Sequence, residues 1–126
     1  MKVIKTTKAP AAIGPYVQGK VVQGILYSSG QLGMNPVTGE LVSPLIEKQT
    51  GQVMENIKAL LAAGDSSFEK IIKTTCFLSD MENFGIFNEV YSSYFEGEFP
   101  ARSCVEVARL PKDALVEIEF IAETNS

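Results

Sequence analysis

The order of elements in this sequence predicts an α+β fold, a two-layer sandwich in which two helices cover one face of a sheet of about six strands. Two observations carry this prediction: two segments have apolar residues at helical spacing, and the segments around them are alternating or β-branched. The elements follow in the order strands, helix, strand, helix, strands. With 126 residues, the chain is expected to form one domain over residues 1–126.

The first helix is predicted over about residues 44–63. Charged and amide side chains occupy the side opposite its apolar residues, and Gly64 is well placed to end it. This pattern is typical of an amphipathic helix that packs one side on a sheet. The apolar positions that recur at helical spacing are Leu45, Val53, Ile57, Leu60 and Leu61.

The second helix is predicted after Ser79 or Asp80, either of which can cap its first turn. Aromatic residues at spacings of three and four indicate the side that docks on the sheet, rather than a cofactor site. Asn88 lies among them, so its amide must find a hydrogen-bond partner within the fold or across an interface. The aromatic residues are Phe84, Phe87, Tyr91, Tyr94 and Phe95.

Two adjacent strands are predicted over residues 17–24 and 25–31, with a tight turn at Gln23 and Gly24. The second strand ends in Ser29 and Gly30, where a glycine fits either a plain turn or the rim of a binding site. The preceding loop carries Tyr16, which either packs at the loop edge or contacts a ligand.

Two further strands are predicted in the second half of the chain. The run Ile71–Leu78 is β-branched and apolar on both faces, as a central strand should be. Residues 115–122 alternate, with one apolar face formed by Val116, Ile118, Phe120 and Ala122.

The two arginines of the chain, Arg102 and Arg109, both lie in residues 100–111, where an alternating run predicts a strand. Arg102 and Cys104 share one face of this strand with Glu106, and the opposite face is expected to turn to the core. The residues of the expected core face are Ser103, Val105 and Val107. Arg109 lies near the turn before Pro111, where a structural role is expected.

If the last two strands pair as a hairpin, Cys104 lies opposite Glu117 and Arg102 opposite Glu119. The sheet face away from the helices then combines apolar and charged residues, which suits a subunit interface with pockets. We therefore predict a homo-oligomer. The residues expected on that face are Arg102, Cys104, Glu106, Leu115, Glu117, Glu119 and Ile121.

The composition narrows the possible functions. A net charge of -4 and a pI near 4.8 argue against a nucleic-acid partner, and no stretch is long and apolar enough for a membrane span, so a cytoplasmic location is expected. The chain has no histidine, which excludes His-dependent triads and zinc sites of the HExxH type. Cys76 and Cys104 lack metal-site spacing and are expected to be reduced thiols. No metal and no cofactor are expected.

An arginine beside carboxylates is commonly a structural ion pair, and that interpretation stays open here. The functional alternative is that Arg102 binds a substrate carboxylate while a nearby glutamate with a raised pKa activates water. Attack by the Cys104 thiol is disfavoured because no histidine can activate it.

Motifs along almost the whole chain resemble the RidA (YjgF) family of reactive-intermediate imine deaminases. They occur in the family's order, and none departs from the family at a position that carries its chemistry. The matching segments are residues 11–19, 29–31, 38–40 and 49–56, Asn88 with Tyr91, residues 100–107 and residues 117–119.

The resemblance implies a chorismate-mutase-like fold, assembled as a homotrimer with ligand clefts between subunits. It also implies hydrolysis of 2-imino acids, such as 2-iminobutanoate and 2-iminopropanoate, to 2-oxo acids and ammonia. By resemblance, Arg102 holds the substrate carboxylate, Glu117 positions the attacking water, and the backbone at Cys104 contacts the ligand. The remaining residues implied to line the cleft are Tyr16, Ser29, Gly30 and Asn88.

Two alternatives from other classes remain. The same fold could serve as a non-catalytic ligand-sensing or interaction protein, although the presence of both Arg102 and Glu117 favours the enzyme. A ribonuclease or translation inhibitor, which some relatives are associated with, is disfavoured by the acidic charge and the lack of histidine.

Overall fold

The computed structural model describes residues 1–125, in which two α-helices lie against a mixed sheet of seven strands. This confirms the predicted α+β class; the additional strand is a two-residue segment that pairs beside the main order of the sheet. The strands are Lys2–Ile4 (β1), Gly19–Val22 (β2), Ile25–Ser28 (β3), Gln31–Leu32 (β4), Ile71–Leu78 (β5), Ala101–Glu106 (β6) and Val116–Glu123 (β7). The helices are Ile46–Ala63 (α1) and Phe84–Ser92 (α2).

The sheet has the order β1-β2-β3-β7-β5-β6, with β4 also paired to β7. The pair β5 and β6 is parallel and the others are antiparallel. The conditional hairpin between the last two strands is therefore wrong, because β5 lies between them. The physical reason is the crossover through α2, since a helix between two strands returns the chain in the same direction.

The turn between β2 and β3 is as predicted. Gln23 and Gly24 both have positive φ, at 51° and 78°, the geometry of a two-residue hairpin turn that matches the twist of its strands. Glycine takes such a conformation without a steric penalty. The tight turn therefore fixes the register between β2 and β3.

The core lies between the sheet and α1, as the alternation in the last strand predicted. The predicted apolar face of β7 is buried, and it packs with the apolar side of α1. The α2 residues Phe87 and Tyr91 join the same core. The buried residues of β7 and α1 include Val116, Ile118, Phe120, Ala122, Val53, Ile57, Leu60 and Leu61.

The face assignment of β6 is the main correction to the sequence-based expectations. Register partners on neighbouring strands share a face, and Cys104 pairs with the buried Cys76. Arg102 and Cys104 are therefore half-buried on the helix side, whereas Ser103 and Val105 are exposed on the other side. The expected core face was wrong because the aromatic residues of α2 can accept a guanidinium above their rings.

The sheet face away from the helices is uncovered in the single chain. It does carry Glu117, Glu119 and Ile121 of β7, as expected, but not Arg102 or Cys104. Apolar side chains on it are also exposed: Tyr27 is 46% exposed and Val105 is 45% exposed. A face with this mixture of residues fits the expected subunit interface.

Buried amides of α1 connect the helix to the strands that carry the site. Asn56 is fully buried, and its Nδ2 donates to the carbonyl oxygens of Leu32 and Met34, both at 3.0 Å. Its Oδ1 accepts a hydrogen bond from Gln52 at 2.9 Å. Gln49 similarly accepts from the backbone N–H of Leu115 at 2.8 Å. These bonds hold β4 and the start of β7 in place.

We expect Asn56→Asp to destabilise the protein at pH 7 by about 3 kcal/mol, because the new carboxylate faces two carbonyl oxygens that lose their donors. Urea unfolding at fixed protein concentration measures the change in free energy of unfolding. Lys58→Ala, an exposed change on the same helix, is the matched control and should leave stability within about 0.5 kcal/mol. Equal stability of the Asp variant and the wild type would contradict the role given to Asn56.

Candidate active site

The guanidinium of Arg102 lies against aromatic rings of α2. Its Cζ is 5.6 Å from the ring centroid of Phe84, 5.7 Å from that of Phe87 and 4.9 Å from that of Tyr91. These residues occur at helical spacing, so α2 presents all of them on the side that faces β6. Contacts of this kind stabilise a partly desolvated cation.

One side-chain hydrogen bond also holds Arg102. Its Nη1 donates to Oδ1 of Asn88 at 2.8 Å, which gives the amide the partner that its place among the aromatic residues required. Within residues 1–125, Arg109 forms an ion pair with Asp113 on the surface, and Arg102 forms no ion pair. The structural ion pair considered for Arg102 is therefore absent from the described chain, and the cation can bind an external anion.

A cavity of about 460 Å³ opens beside this cation. Its walls combine the polar Arg102, Asn88 and Ser92 and the carboxylate residue Glu89 with the apolar Phe99 and Pro100. Phe99 is 55% exposed and stacks edge-on against Phe95 at 5.7 Å between centroids. The cavity thus offers a binding group for an anion next to an apolar wall, the combination that orients a small amphipathic ligand.

Cys104 is two residues from Arg102 on the same face. Burial raises the pKa of its thiol, and the nearby charge of Arg102 acts in the opposite direction. Burial also raises the pKa of its strand neighbour Cys76, to about 12. Both sulfurs are therefore thiols at neutral pH, the less nucleophilic form of cysteine.

Glu117 lies on the opposite face of the sheet, packed against Gly30. A Cβ added to Gly30 would overlap the carboxylate of Glu117, with the Glu117 Cδ at 2.8 Å. Glycine therefore lets the Glu117 carboxylate lie directly against the backbone, and a larger residue here would displace that carboxylate. Burial raises the pKa of Glu117, and the charge of Glu119 on the same face raises it further. The site therefore holds a carboxylate that protonates more readily than an exposed one.

The loop before β2 joins this second group. The backbone N–H of Ser29 donates to the carbonyl of Gln18 at 3.0 Å, and its hydroxyl donates to the carbonyl of Val17. Tyr16, which directly precedes Val17, is 50% exposed. The side chain of Gln18 is buried and donates to the carbonyls of Thr6 and Pro10, so it fixes the loop on which Tyr16 lies.

The predicted site residues therefore fall into two groups. Arg102, Asn88 and Cys104 come together on the helix side, and Glu117 comes together with Gly30 on the other side, next to Ser29 and the loop of Tyr16. Thr74 and Phe77 of β5 pair with Arg102 and Glu117, and their odd spacing places these partners on opposite faces. We name these the arginine group and the glutamate group.

Comparison with known proteins shows where the chain belongs. A family model described as Endoribonuclease L-PSP matches residues 6–124. The chain belongs to this family, also called RidA or YjgF. The family match confirms the resemblance read from the sequence motifs, which extended over nearly the same residues.

Several individual members of the RidA family cover this chain almost completely. A Lactococcus lactis protein named "Putative regulator AldR" is 60% identical over 100% of both chains. The mouse 2-iminobutanoate/2-iminopropanoate deaminase is 47% identical over 96% of this chain and 90% of its own length. The structure of Escherichia coli TdcF with bound serine is 44% identical with a TM-score of 0.95, over 99% of this chain and 100% of that one. These similarities confirm the chorismate-mutase-like α+β fold of the RidA family.

The sequence indicated candidate site residues but missed the residues that support them. The aromatic spacing of α2 was interpreted as a docking stripe only, although Phe84, Phe87 and Tyr91 also contact Arg102. The sequence did contain a signal for this contact: the predicted strand that carries Arg102 follows the helix that is rich in aromatic residues. Gln18 gave no such signal, because its partners are backbone groups: the N–H of Thr6 and the carbonyls of Thr6 and Pro10.

The described part of this RidA-family chain holds neither a candidate metal centre nor a membrane-spanning helix. Across residues 1–125, no three His, Cys, Asp or Glu side chains come together in a way that could hold a metal ion. Neither α1 nor α2 in that range has the length and apolar character that crossing a membrane requires.

We expect Glu119→Gln to lower the pKa of Glu117, because it removes the neighbouring negative charge that opposes ionisation. Titration of the Glu117 carboxyl by 13C NMR measures the shift. Glu123→Gln, a change farther along the same face of β7, is the control and should leave the Glu117 titration in place. An unchanged or raised pKa in the Glu119 variant would contradict this assignment of cause.

Proposed function

We propose that this protein is an imine deaminase that hydrolyses reactive 2-imino acids to 2-oxo acids and ammonia. The observation that carries the proposal is the guanidinium of Arg102, which aromatic rings and Asn88 hold at the wall of a cavity and which forms no ion pair within residues 1–125. Guanidinium binds carboxylates through two parallel hydrogen bonds, and every 2-imino acid carries one carboxylate.

In the proposed mechanism, Arg102 binds the substrate carboxylate and orients the C=N carbon. With the substrate as the iminium ion, Glu117 accepts a proton from water as the water oxygen attacks that carbon, and the C=N bond becomes a C–N single bond. Glu117 then donates this proton to the nitrogen. As the carbinolamine collapses, Glu117 accepts the hydroxyl proton, C=O forms and the C–N bond breaks; the released ammonia takes the proton from Glu117 and leaves as ammonium. Because an imine carbon is already electrophilic, orientation and one positioned water are sufficient, and the mechanism uses no cofactor.

The arrangement of the two groups of residues supports a site shared between copies of the chain. Arg102 and Glu117 lie on opposite faces of one sheet, so a single chain cannot direct both at one small substrate. We propose a homotrimer in which each cleft takes the arginine group from one subunit and the glutamate group from the next. The uncovered face that carries Glu117 and Tyr27 is available for this contact.

The RidA-family relatives support the same chemistry. The mouse relative is named for deamination of 2-iminobutanoate and 2-iminopropanoate. The TdcF structure contains serine, a small amino acid whose carboxylate and α-nitrogen resemble those of a 2-imino acid. A ligand of that size fits beside Arg102 in the cavity of about 460 Å³.

A second candidate function is ligand sensing without turnover. The relative that is 60% identical is named as a regulator, which favours this candidate. A sensor would use Arg102 in the same way, to bind a 2-oxo or 2-imino acid, but would not need Glu117 for water. The two functions differ in whether product forms.

The proposed function is tested by a coupled assay in which a threonine dehydratase supplies the imine and formation of the 2-oxo acid is followed. We expect the wild type to accelerate hydrolysis and Arg102→Ala to lose about 100-fold of that acceleration, the loss expected for two charge-assisted hydrogen bonds. Arg109→Ala is the matched control, because Arg109 pairs with Asp113 on the surface, and it should retain activity.

Full acceleration by an assembled Arg102→Ala variant would refute the role of Arg102. No acceleration by the wild type, together with binding of 2-oxobutanoate by calorimetry, would support ligand sensing instead. Nuclease activity that is equal in the wild type and in Arg102→Ala would indicate contamination, since the chain supplies neither a histidine nor a net positive charge for RNA cleavage.

A further inference from the structure

Tyr91 makes the shortest of the three ring contacts to Arg102. Its centroid is 4.9 Å from the guanidinium carbon, against 5.6 Å and 5.7 Å for Phe84 and Phe87. Tyr91 is only 4% exposed, so this contact lies in a region of low dielectric. A cation–π contact is stronger there than at an exposed surface.

The ring of Tyr91 is itself held from the sheet. Its hydroxyl shares a hydrogen bond of 2.8 Å with the hydroxyl of Thr74, which is 1% exposed. Thr74 is the register partner of Arg102 on β5. Burial raises the pKa of Tyr91 to about 12, so the phenol stays neutral and protonated. Arg102 on β6 therefore carries the cation, and its register partner Thr74 on β5 holds the Tyr91 ring against which the guanidinium lies.

We propose that Tyr91, with its ring fixed by Thr74, is a positioning residue that holds the guanidinium of Arg102 ready for the substrate carboxylate. Asn88 occupies one guanidinium nitrogen, and the rings cover part of the group's surface. Arg102 also lines the cavity, so donors that Asn88 does not occupy can serve a ligand there. For the identity of the substrate, this inference rests on the proposed function.

The aromatic residues that follow on the chain lack this arrangement. Tyr94 stacks on Phe68 with centroids 5.5 Å apart, and its hydroxyl donates to Glu55 at 2.7 Å. In residues 1–125, the rings in contact with Arg102 are those of Phe84, Phe87 and Tyr91. Tyr94→Leu therefore removes a tyrosine ring of the same size without touching the cation, which makes it a matched control for Tyr91→Leu.

The kinetic test compares Tyr91→Leu, Tyr91→Phe and the Tyr94→Leu control in the coupled assay, after light scattering has confirmed equal assembly. We expect Tyr91→Leu to raise KM about tenfold, the size that loss of one buried cation–π contact implies, with a smaller change in kcat. Tyr91→Phe keeps the ring but removes its hydrogen bond to Thr74, so we expect a smaller rise in KM, of about threefold. A merely structural ring would lower stability in both Leu variants but would leave KM unchanged.

A double-mutant cycle tests the role of Thr74. Thr74→Val keeps the shape of the side chain but removes the partner of the Tyr91 hydroxyl, and we expect the same rise in KM as for Tyr91→Phe. In the Tyr91→Phe background the same change should have no further effect on KM, because the hydrogen bond is already absent. Additive effects on KM would overturn the proposed coupling, and this cycle does not depend on whether Tyr91→Leu folds.

Arginine Nε–Hε signals in NMR spectra provide a readout that does not depend on activity. The chain has only Arg102 and Arg109, and the surface pair of Arg109 with Asp113 serves as an internal reference. We expect Tyr91→Leu to shift the Arg102 signal, through loss of the ring current, and to increase the mobility of that group. The Arg109 signal should not change.

These readouts separate the failure of this inference from failure of the proposed function. An Arg102 signal that is unchanged in position and mobility in an assembled Tyr91→Leu variant overturns the positioning role, whatever the activity. A wild type without deaminase activity overturns the proposed function. The NMR comparison then still decides whether Tyr91 holds Arg102.

Discussion

The parallel pairing of β5 with β6 determines which face of the sheet receives Arg102. Its register sets Arg102 beside Thr74 and Cys104 beside Cys76, and both partners on β5 are buried under the helices. A cation carried to that side needs compensation, and α2 provides it with aromatic rings and the amide of Asn88. No ion pair neutralises the guanidinium within the described chain, so the Arg102 cation can still bind an anion.

The same sheet sets the place of Glu117. Strand β7 pairs with β5 on the side opposite β6, and its alternation buries the apolar residues under α1. Glu117 consequently turns to the uncovered face, where it contacts Gly30 of the segment that the buried amides of α1 hold in place. One sheet thus presents a cation on one face and a carboxylate with a raised pKa on the other. In the proposed trimer, the Arg102 cation of one copy meets the Glu117 carboxylate of the next.

Much of this could be predicted from the sequence, and the errors have a common cause. Periodicity found α1 and the buried face of β7, and local chemistry found the turn at Gln23 and Gly24, because each depends on residues close together in the chain. Alternation in β6 separated its two faces but could not say which one is buried, since that depends on β5. The assumed hairpin then placed Arg102 beside Glu119. The hydrogen bonds that Asn56 donates could not be predicted either, because their acceptors are backbone carbonyls, which every residue carries.

A site divided between two subunits is tested most directly by mixing two inactive variants. Arg102→Ala chains lack the guanidinium, and Glu117→Gln chains lack the carboxylate that the proposed mechanism uses, so each should be nearly inactive when assembled alone. When equal amounts are dissociated and reassembled together, we expect about one quarter of wild-type activity to return, because each mixed trimer regains one intact cleft of three. No recovery in oligomers that mass spectrometry shows to contain both chains would contradict the shared site.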